Sequence, residues 1–205
     1  MTLKIGSNNM QRNEVHWAQE MLNYSDTWLE LGVLTNEIAL NQMHLWMRDD
    51  ADKNTEHYRY GAWRHYWNVK KSITSSELEK CIILAISDPD VGMGGAILHD
   101  ILNAYWLSEK QFELVSEQFR TFRDKWSLPN SERIIDRQLL YRSLTENNSP
   151  KDLDRVVRIG DSQIQRHVVD RYRLHQETLE YLEKKGLVRA VRNIARVKLR
   201  RREHF

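Results

Sequence analysis

Residues 149–199 read SPKDLDRVVRIGDSQIQRHVVDRYRLHQETLEYLEKKGLVRAVRNIARVKL, and within the wider stretch Asn148–Leu199 a short pattern occurs twice. One copy runs Leu153, Val156, Asp161, Ile164, Val168; the other runs Leu179, Leu182, Gly186, Val191, Ala195. The offset is 26 residues for the first two pairs, 25 at Asp161/Gly186 and 27 for the last two. A supersecondary unit recurring every 20–50 residues or so marks stacked helical repeats, because one such unit cannot bury its apolar face alone.

The local chemistry agrees with that reading. Ser149-Pro150-Lys151-Asp152 is a helix start: Ser supplies an oxygen to the first orphan N–H groups, and Pro occupies the first helical position, where its missing N–H costs nothing. Short helices are expected at about 150–159, 162–173, 176–185 and 188–202, with Gly160 and Gly186 ending two of them.

Upstream, the same signals recur. Thr74 with Glu77 and Ser108 with Gln111 have capping-box spacing, and each precedes apolar residues at helical intervals. In Ser87-Asp88-Pro89-Asp90, Asp88 suits an N-cap and Pro89 the first helical position, so a helix is expected from there through Leu102. Pro129 marks a gap before an interrupted segment, Ile134–Leu144. Nearer the N-terminus, helices are expected over Met10–Tyr24, from a Thr27/Glu30 capping box to about Arg48, and from an Asn54 cap to about Val69. The segment Asp49–Asn54 breaks the second of these from the third, while residues 1–9 carry no periodicity. All seven Trp lie in the first 126 residues, where helices meeting at varied angles call for large core side chains; a base-stacking surface is the other use of such rings.

The run Ser149-Pro150, Leu153, Val156, Gly160-Asp161, Ile164, Val168 resembles the leucine-rich repeat variant, a relative of HEAT repeats, and Val191-Arg192 supplies the Val-Arg pair of its second helix. A looser copy runs Leu78, Asp88-Pro89-Asp90-Val91, Leu107-Ser108, with Gly92 in place of Arg. The likeness covers 148–199 and, loosely, 75–126. It implies a HEAT-like α-solenoid of short antiparallel hairpins whose exposed helix faces form a binding surface. The expected fold is therefore all-α: one helical domain over 1–205, divisible into aromatic-rich N-terminal helices (10–70) and HEAT-like repeats (74–202).

Composition limits the function classes. Hydrophobic residues make up 40% and charged residues 29%, ordinary for a globular chain. No stretch of about 18 uninterrupted apolar residues occurs, so no membrane span is expected. Cys81, the single cysteine, lies in the apolar run CIILA and is expected to be buried and inert. One cysteine cannot form an internal disulfide, which points to a reducing, cytoplasmic setting. The net charge of +2 hides an asymmetry: residues 185–205 hold eight Lys or Arg against Glu203, giving +7, so the rest sums to −5.

Tests for chemistry give little. A helical zinc or di-iron site wants paired ligands at i,i+4 or Glu-x-x-His motifs; His16 and Glu20 have the spacing, no second pair matches and no Glu-x-x-His occurs. Neither a metal nor a cofactor is expected. The cluster Gly92-Met93-Gly94-Gly95 lacks the Gly-Lys-Ser/Thr ending of a phosphate loop and fits close helix–helix approach instead. An enzyme site dispersed over His57, His65 and His99 is the weakest of the functional readings.

The strongest functional signal is the last helix. At 100° per residue Arg189, Arg192, Arg196 and Arg200 fall within about 80° of one another, opposite Leu187, Val191, Ile194 and Ala195. With neighbouring Arg166, Arg171 and Arg173, this stripe suits phosphate backbones or an acidic protein groove; a polar cap on the end of a helical stack is the plainer alternative. A basic membrane-surface helix fits less well, because no Trp or Phe anchors its apolar side. Two readings follow: a non-enzymatic scaffold or adaptor binding a protein partner, and a nucleic-acid-binding protein that uses the arginine stripe.

Overall fold

The computed structural model describes residues 7–48, 53–145 and 147–202. These residues form twelve α-helices and no strand, so the chain is all-α. It divides into two compact units, Met1–Pro129 and Asn130–Phe205. The charge divides at the same place. The first unit holds 13 Lys or Arg against 18 Asp or Glu, a net −5, and the second holds 18 against 11, a net +7.

The first unit contains α1 (Ser7–Leu22), α2 (Asp26–Glu30), α3 (Asn36–Trp46), α4 (Thr55–Asn68), α5 (Ser75–Ser87), α6 (Val91–Leu102) and α7 (Glu109–Lys125). α1 packs on α3 and α4, α4 packs on α6, and α5, α6 and α7 pack on one another. Leu22, Trp28, Trp63, Leu78, Leu84, Ile97 and Phe119 are among the side chains withdrawn from water. Each such side chain contributes about 1.5–3 kcal/mol by leaving water.

Three expectations for this unit need correction. The helix expected from Thr27 to Arg48 is two helices, because Gly32 sits at φ +68° and turns the chain between them. That left-handed conformation is cheap only for residues such as glycine. Thr35 then caps α3 by accepting a hydrogen bond from the Ile38 N–H at 3.2 Å. In the second case Asp88 is not the N-cap of α6. Asp90 takes that role, accepting from the Met93 N–H at 2.7 Å, while Asp88 closes α5 and turns its carboxylate onto Arg59. Pro89 therefore lies in the turn between the helices. In the third, Thr27 opens no capping box with Glu30: it lies inside α2, whose N-cap is Ser25.

Ser108 and Gln111 form both halves of a capping box. Thr74 accepts from the Glu77 N–H at 3.2 Å, and the Glu77 carboxylate also accepts from the Tyr66 hydroxyl at 2.6 Å and from Lys70. Gly94 lets α6 approach α5 and α7, since a Cβ there would collide with the Ala85 carbonyl and touch the Phe122 ring. Cys81 is fully buried, and that burial pushes its thiol up to about 12.

The second unit contains α8 (Ser131–Ser143), α9 (Pro150–Ile159), α10 (Ser162–Arg171), α11 (Gln176–Lys185) and α12 (Arg189–Arg202). The last four lie where the sequence pattern puts them. α9 packs on α10 and α11 on α12; α9 also packs on α11, and α10 on α12. Like helix therefore meets like helix in two neighbouring hairpins. Leu153, Val156, Val157, Ile164, Val168, Leu179, Leu182, Val191 and Ala195 fill one core between them.

At the turns, the two copies of the sequence pattern align one residue away from their sequence register. Gly160, not Asp161, is the counterpart of Gly186. The Gly160 N–H donates to the Val156 carbonyl at 2.8 Å and the Gly186 N–H to the Leu182 carbonyl at 2.9 Å. A Cβ at Gly160 would meet Ile164, and one at Gly186 would meet Val191, which are themselves paired in the repeat. Both glycines serve close packing of the hairpin turn. The first copy then enters α10 at once through Asp161, whose carboxylate accepts from the Gln163 and Ile164 N–H groups. The second copy spends one residue more, which accounts for the change of offset from 26 to 27.

Candidate functional site

The expected site residues lie on the second unit, and the structure sorts them by flank of α12. Val191 and Ala195 face the core with no exposure. The arginine stripe runs beside them toward α11. There the Arg192 Nη1 donates to the Gly186 carbonyl at 2.6 Å, and the Arg196 Nε meets the Glu183 Oε1 at 2.9 Å. Two of the four stripe arginines thus act inside the fold, one as a clasp on the hairpin turn and one in an ion pair with α11. Arg189 and Arg200 are exposed. Arg166, also exposed, is an ion-pair partner of Asp170 at 3.8 Å on α10.

The other flank of α12 faces the end of α10. Lys198 and Arg201, one turn apart, converge there with Arg171 and Arg173 around a surface hollow of about 360 Å³. Leu174 and Leu179 line the hollow at its buried side, and Tyr172 lines it as well. Among the described residues no carboxylate lines it. The Lys198 ammonium is held by the carbonyl oxygens of Tyr172 at 3.4 Å and Asp170 at 3.5 Å, so the exposed carbonyls at the end of α10 are covered by a cation. Four like charges held together repel one another and draw an anion to the hollow.

Sequence reasoning named Arg173 and Arg171 and counted Lys198 and Arg201 in the basic tail without placing them. Their spacing on α12 is visible in the chain. Which flank meets α10 is a packing outcome, signalled only by Ile194 and Leu199, which are partly buried against the core.

Two further aromatic rings adjoin Tyr172 in series. Tyr141 meets His167 edge-on with ring centroids 5.1 Å apart, and His167 lies 6.1 Å from Tyr172. Burial, and after it the charge of Arg171, holds the His167 imidazole below its ordinary pKa.

The remaining candidates do not converge. His57 and His65 are exposed on α4, and His99 on α6 makes a ring-nitrogen contact with Asn103 at 3.1 Å. Asp100, beside His99, accepts hydrogen bonds from Trp63 and Tyr60, a packing role. His16 and Glu20 form an exposed pair at 3.2 Å. Among the described residues no three His, Cys, Asp or Glu side chains gather as metal ligands would, and no helix is long and apolar enough to cross a membrane. No family model, curated protein or solved structure matches this chain.

Proposed function

We propose that this chain is a non-enzymatic interaction module of HEAT-like helical hairpins whose C-terminal unit binds nucleic acid through the phosphate backbone. One observation carries the reading: Arg171, Arg173, Lys198 and Arg201 surround a hollow that no carboxylate of the described residues lines. Cations clustered merely for solubility gain by interleaving with acids, as Arg196 does with Glu183 and Arg166 with Asp170. Arg and Lys gathered around a hollow that no described carboxylate lines match phosphate oxygens, which arginine engages with two parallel N–H donors. The charge of +7 on the second unit supplies long-range attraction to a polyanion. The binding contacts accordingly centre on the flank of α12 that faces α10, with exposed Arg200 and Arg189 extending them.

The experiment is a salt titration of binding to a fluorescent oligonucleotide. Log affinity should fall linearly with log salt, by about 0.7–0.9 for each phosphate neutralised. Lys198→Glu with Arg201→Glu should abolish binding while the far-UV circular dichroism melt is kept. Affinity without salt dependence, or unchanged in that double variant, would sink the reading.

A protein partner is the second reading, and a different surface favours it. Leu139 and Ile159, 50% and 61% exposed, flank a hollow of about 380 Å³ floored by Leu140 and Val156. Asp152 and Arg155 supply its polar rim. Leu139→Asp should then release a stoichiometric protein partner that the wild type retains. Retention of the partner by that variant excludes this surface.

A further inference from the structure

We infer that the basic hollow takes single-stranded nucleic acid, with one base stacked on the Tyr172 ring while Arg171, Arg173, Lys198 and Arg201 hold the flanking phosphates. This deepens the phosphate-backbone reading above and rests on it.

The argument begins with what stands among the cations. A site built for phosphate alone needs donors and charge; this one is also lined by an aromatic residue, Tyr172, directly between Arg171 and Arg173 in the chain. Tyr172 is only partly buried against the core, which leaves part of the residue accessible where it lines the hollow. Its backbone is fixed at both ends: the N–H donates to the Val168 carbonyl at 3.0 Å, and the carbonyl accepts from Lys198 at 3.4 Å.

The ring is also supported from behind. His167 lies 6.1 Å from Tyr172 and Tyr141 lies 5.1 Å beyond His167, a continuous aromatic series leading into the unit. A ring already ordered by such packing loses little freedom when a base stacks on it.

Strand state follows from accessibility. In a duplex both faces of every internal base are covered by its neighbours, so Tyr172 could reach only phosphate and sugar. A single strand presents unstacked π-faces alternating with phosphates, the combination of ring and cations found here. Stacking accepts any base, so the chemistry recognises single strands without reading a specific sequence.

The test uses the full chain and four fluorescein-labelled probes of equal length: oligo(U), oligo(dT), an oligo(dT)·oligo(dA) duplex, and an abasic deoxyribose-phosphate strand. The expected result is binding to both single strands, with the abasic strand and the duplex weaker by roughly tenfold. Tyr172→Leu should lower single-strand affinity by a similar factor with the salt slope unchanged; Tyr172→Phe should retain it. If Tyr172→Leu fails to fold, the abasic comparison on the wild-type chain still decides. Equal affinity for abasic and base-bearing strands, or for duplex and single strand, overturns this inference and leaves phosphate binding in place. Absence of binding to all four probes overturns both.

Discussion

Arg59 grips Asp88 with two parallel hydrogen bonds, Nε to Oδ2 at 3.0 Å and Nη2 to Oδ1 at 2.9 Å, and the two side chains are 1% and 0% exposed. The same guanidinium donates to the Leu22 carbonyl at 2.8 Å and to the Thr55 hydroxyl at 3.0 Å, while Asp88 accepts from the Asp90 N–H at 2.9 Å. One ion pair thus ties the end of α1, the start of α4 and the turn between α5 and α6. Its energetic weight lies in what is left behind when one partner is lost, because a buried charge without its counterion has no water to turn to.

Asp88→Asn should accordingly cost about 3–5 kcal/mol of stability in the first unit. Arg59→Met with Asp88→Asn should cost less than Asp88→Asn alone, since no charge is then stranded. All seven Trp belong to the first unit, so Trp fluorescence follows its melting specifically. A drop of about 10 °C or more in that transition is expected for the single variant. An unshifted midpoint would show that the pair contributes nothing.

The two hairpin-turn glycines make a sharper pair of predictions. A Cβ at Gly160 would lie 2.7 Å from the Val156 carbonyl oxygen and 2.8 Å from the Ile164 Cβ; at Gly186 it would lie 2.5 Å from the Leu182 carbonyl oxygen. Backbone cannot yield as a flexible side-chain tip can, so Gly160→Ala and Gly186→Ala should each destabilise the second unit by about 1–3 kcal/mol. Gly61 on α4 has nothing within 4 Å of its Cβ position, and Gly61→Ala should instead stabilise by about 0.5–1 kcal/mol. Chemical denaturation followed by far-UV circular dichroism reads all three. Equal behaviour of the three variants would contradict the packing role of the turn glycines.

These residues also show where sequence reasoning stopped. Caps at Ser108 and Ser149 were legible because capping joins residues three apart, and the helices of the second unit were legible from Gly, Pro and apolar spacing alone. The glycine register was misread because Asp161 mimics a turn signal, whereas tertiary crowding around Gly160 and Gly186 decides the pairing. The Arg59–Asp88 pair spans 29 residues and leaves no local mark. At the candidate site, the helical wheel located the arginine stripe but could not tell that Glu183 and the Gly186 carbonyl would occupy part of it. Nor could it tell that the opposite flank, with Lys198 and Arg201, would meet Arg171 and Arg173.

The depressed His167 pKa gives the second unit a pH dependence. The folded unit holds the imidazole neutral through burial first and the Arg171 charge second, against the opposing pull of Asp170. The unfolded chain thus takes up its proton at a higher pH than the folded one. The stabilisation is complete above the unfolded value of roughly 6.5 and is lost as pH falls below it. Asp154 and Asp161 also have lowered pKa values, Asp154 through Arg158 and Asp161, despite opposing burial, through the Ile164 N–H and Arg137. Their contributions disappear only at lower pH, in the carboxylate range, and leave the interval from about pH 5 to 7 to the histidine. The urea midpoint of the second unit should fall across that interval in the wild type and stay flatter in His167→Gln. Parallel slopes would assign the dependence to other groups.

The arginines of α12 should separate by role when each is changed to Gln. Arg192 holds the Gly186 carbonyl, so Arg192→Gln should lower the stability of the second unit by about 1 kcal/mol. Arg200 is exposed, so Arg200→Gln should leave stability unchanged and weaken oligonucleotide binding at low salt. Arg196 stands between these cases. Its partner Glu183 offsets its charge at 2.9 Å across a partly exposed surface, where such pairs contribute no more than about 1 kcal/mol. Glu183→Gln should therefore cost little stability yet raise affinity for a polyanion by removing the competing carboxylate. That gain should shrink as salt is added, because the charges involved are open to screening. A gain that persists at high salt would require a direct contact at position 183, and no gain at low salt would place Arg196 outside the field that the bound strand experiences.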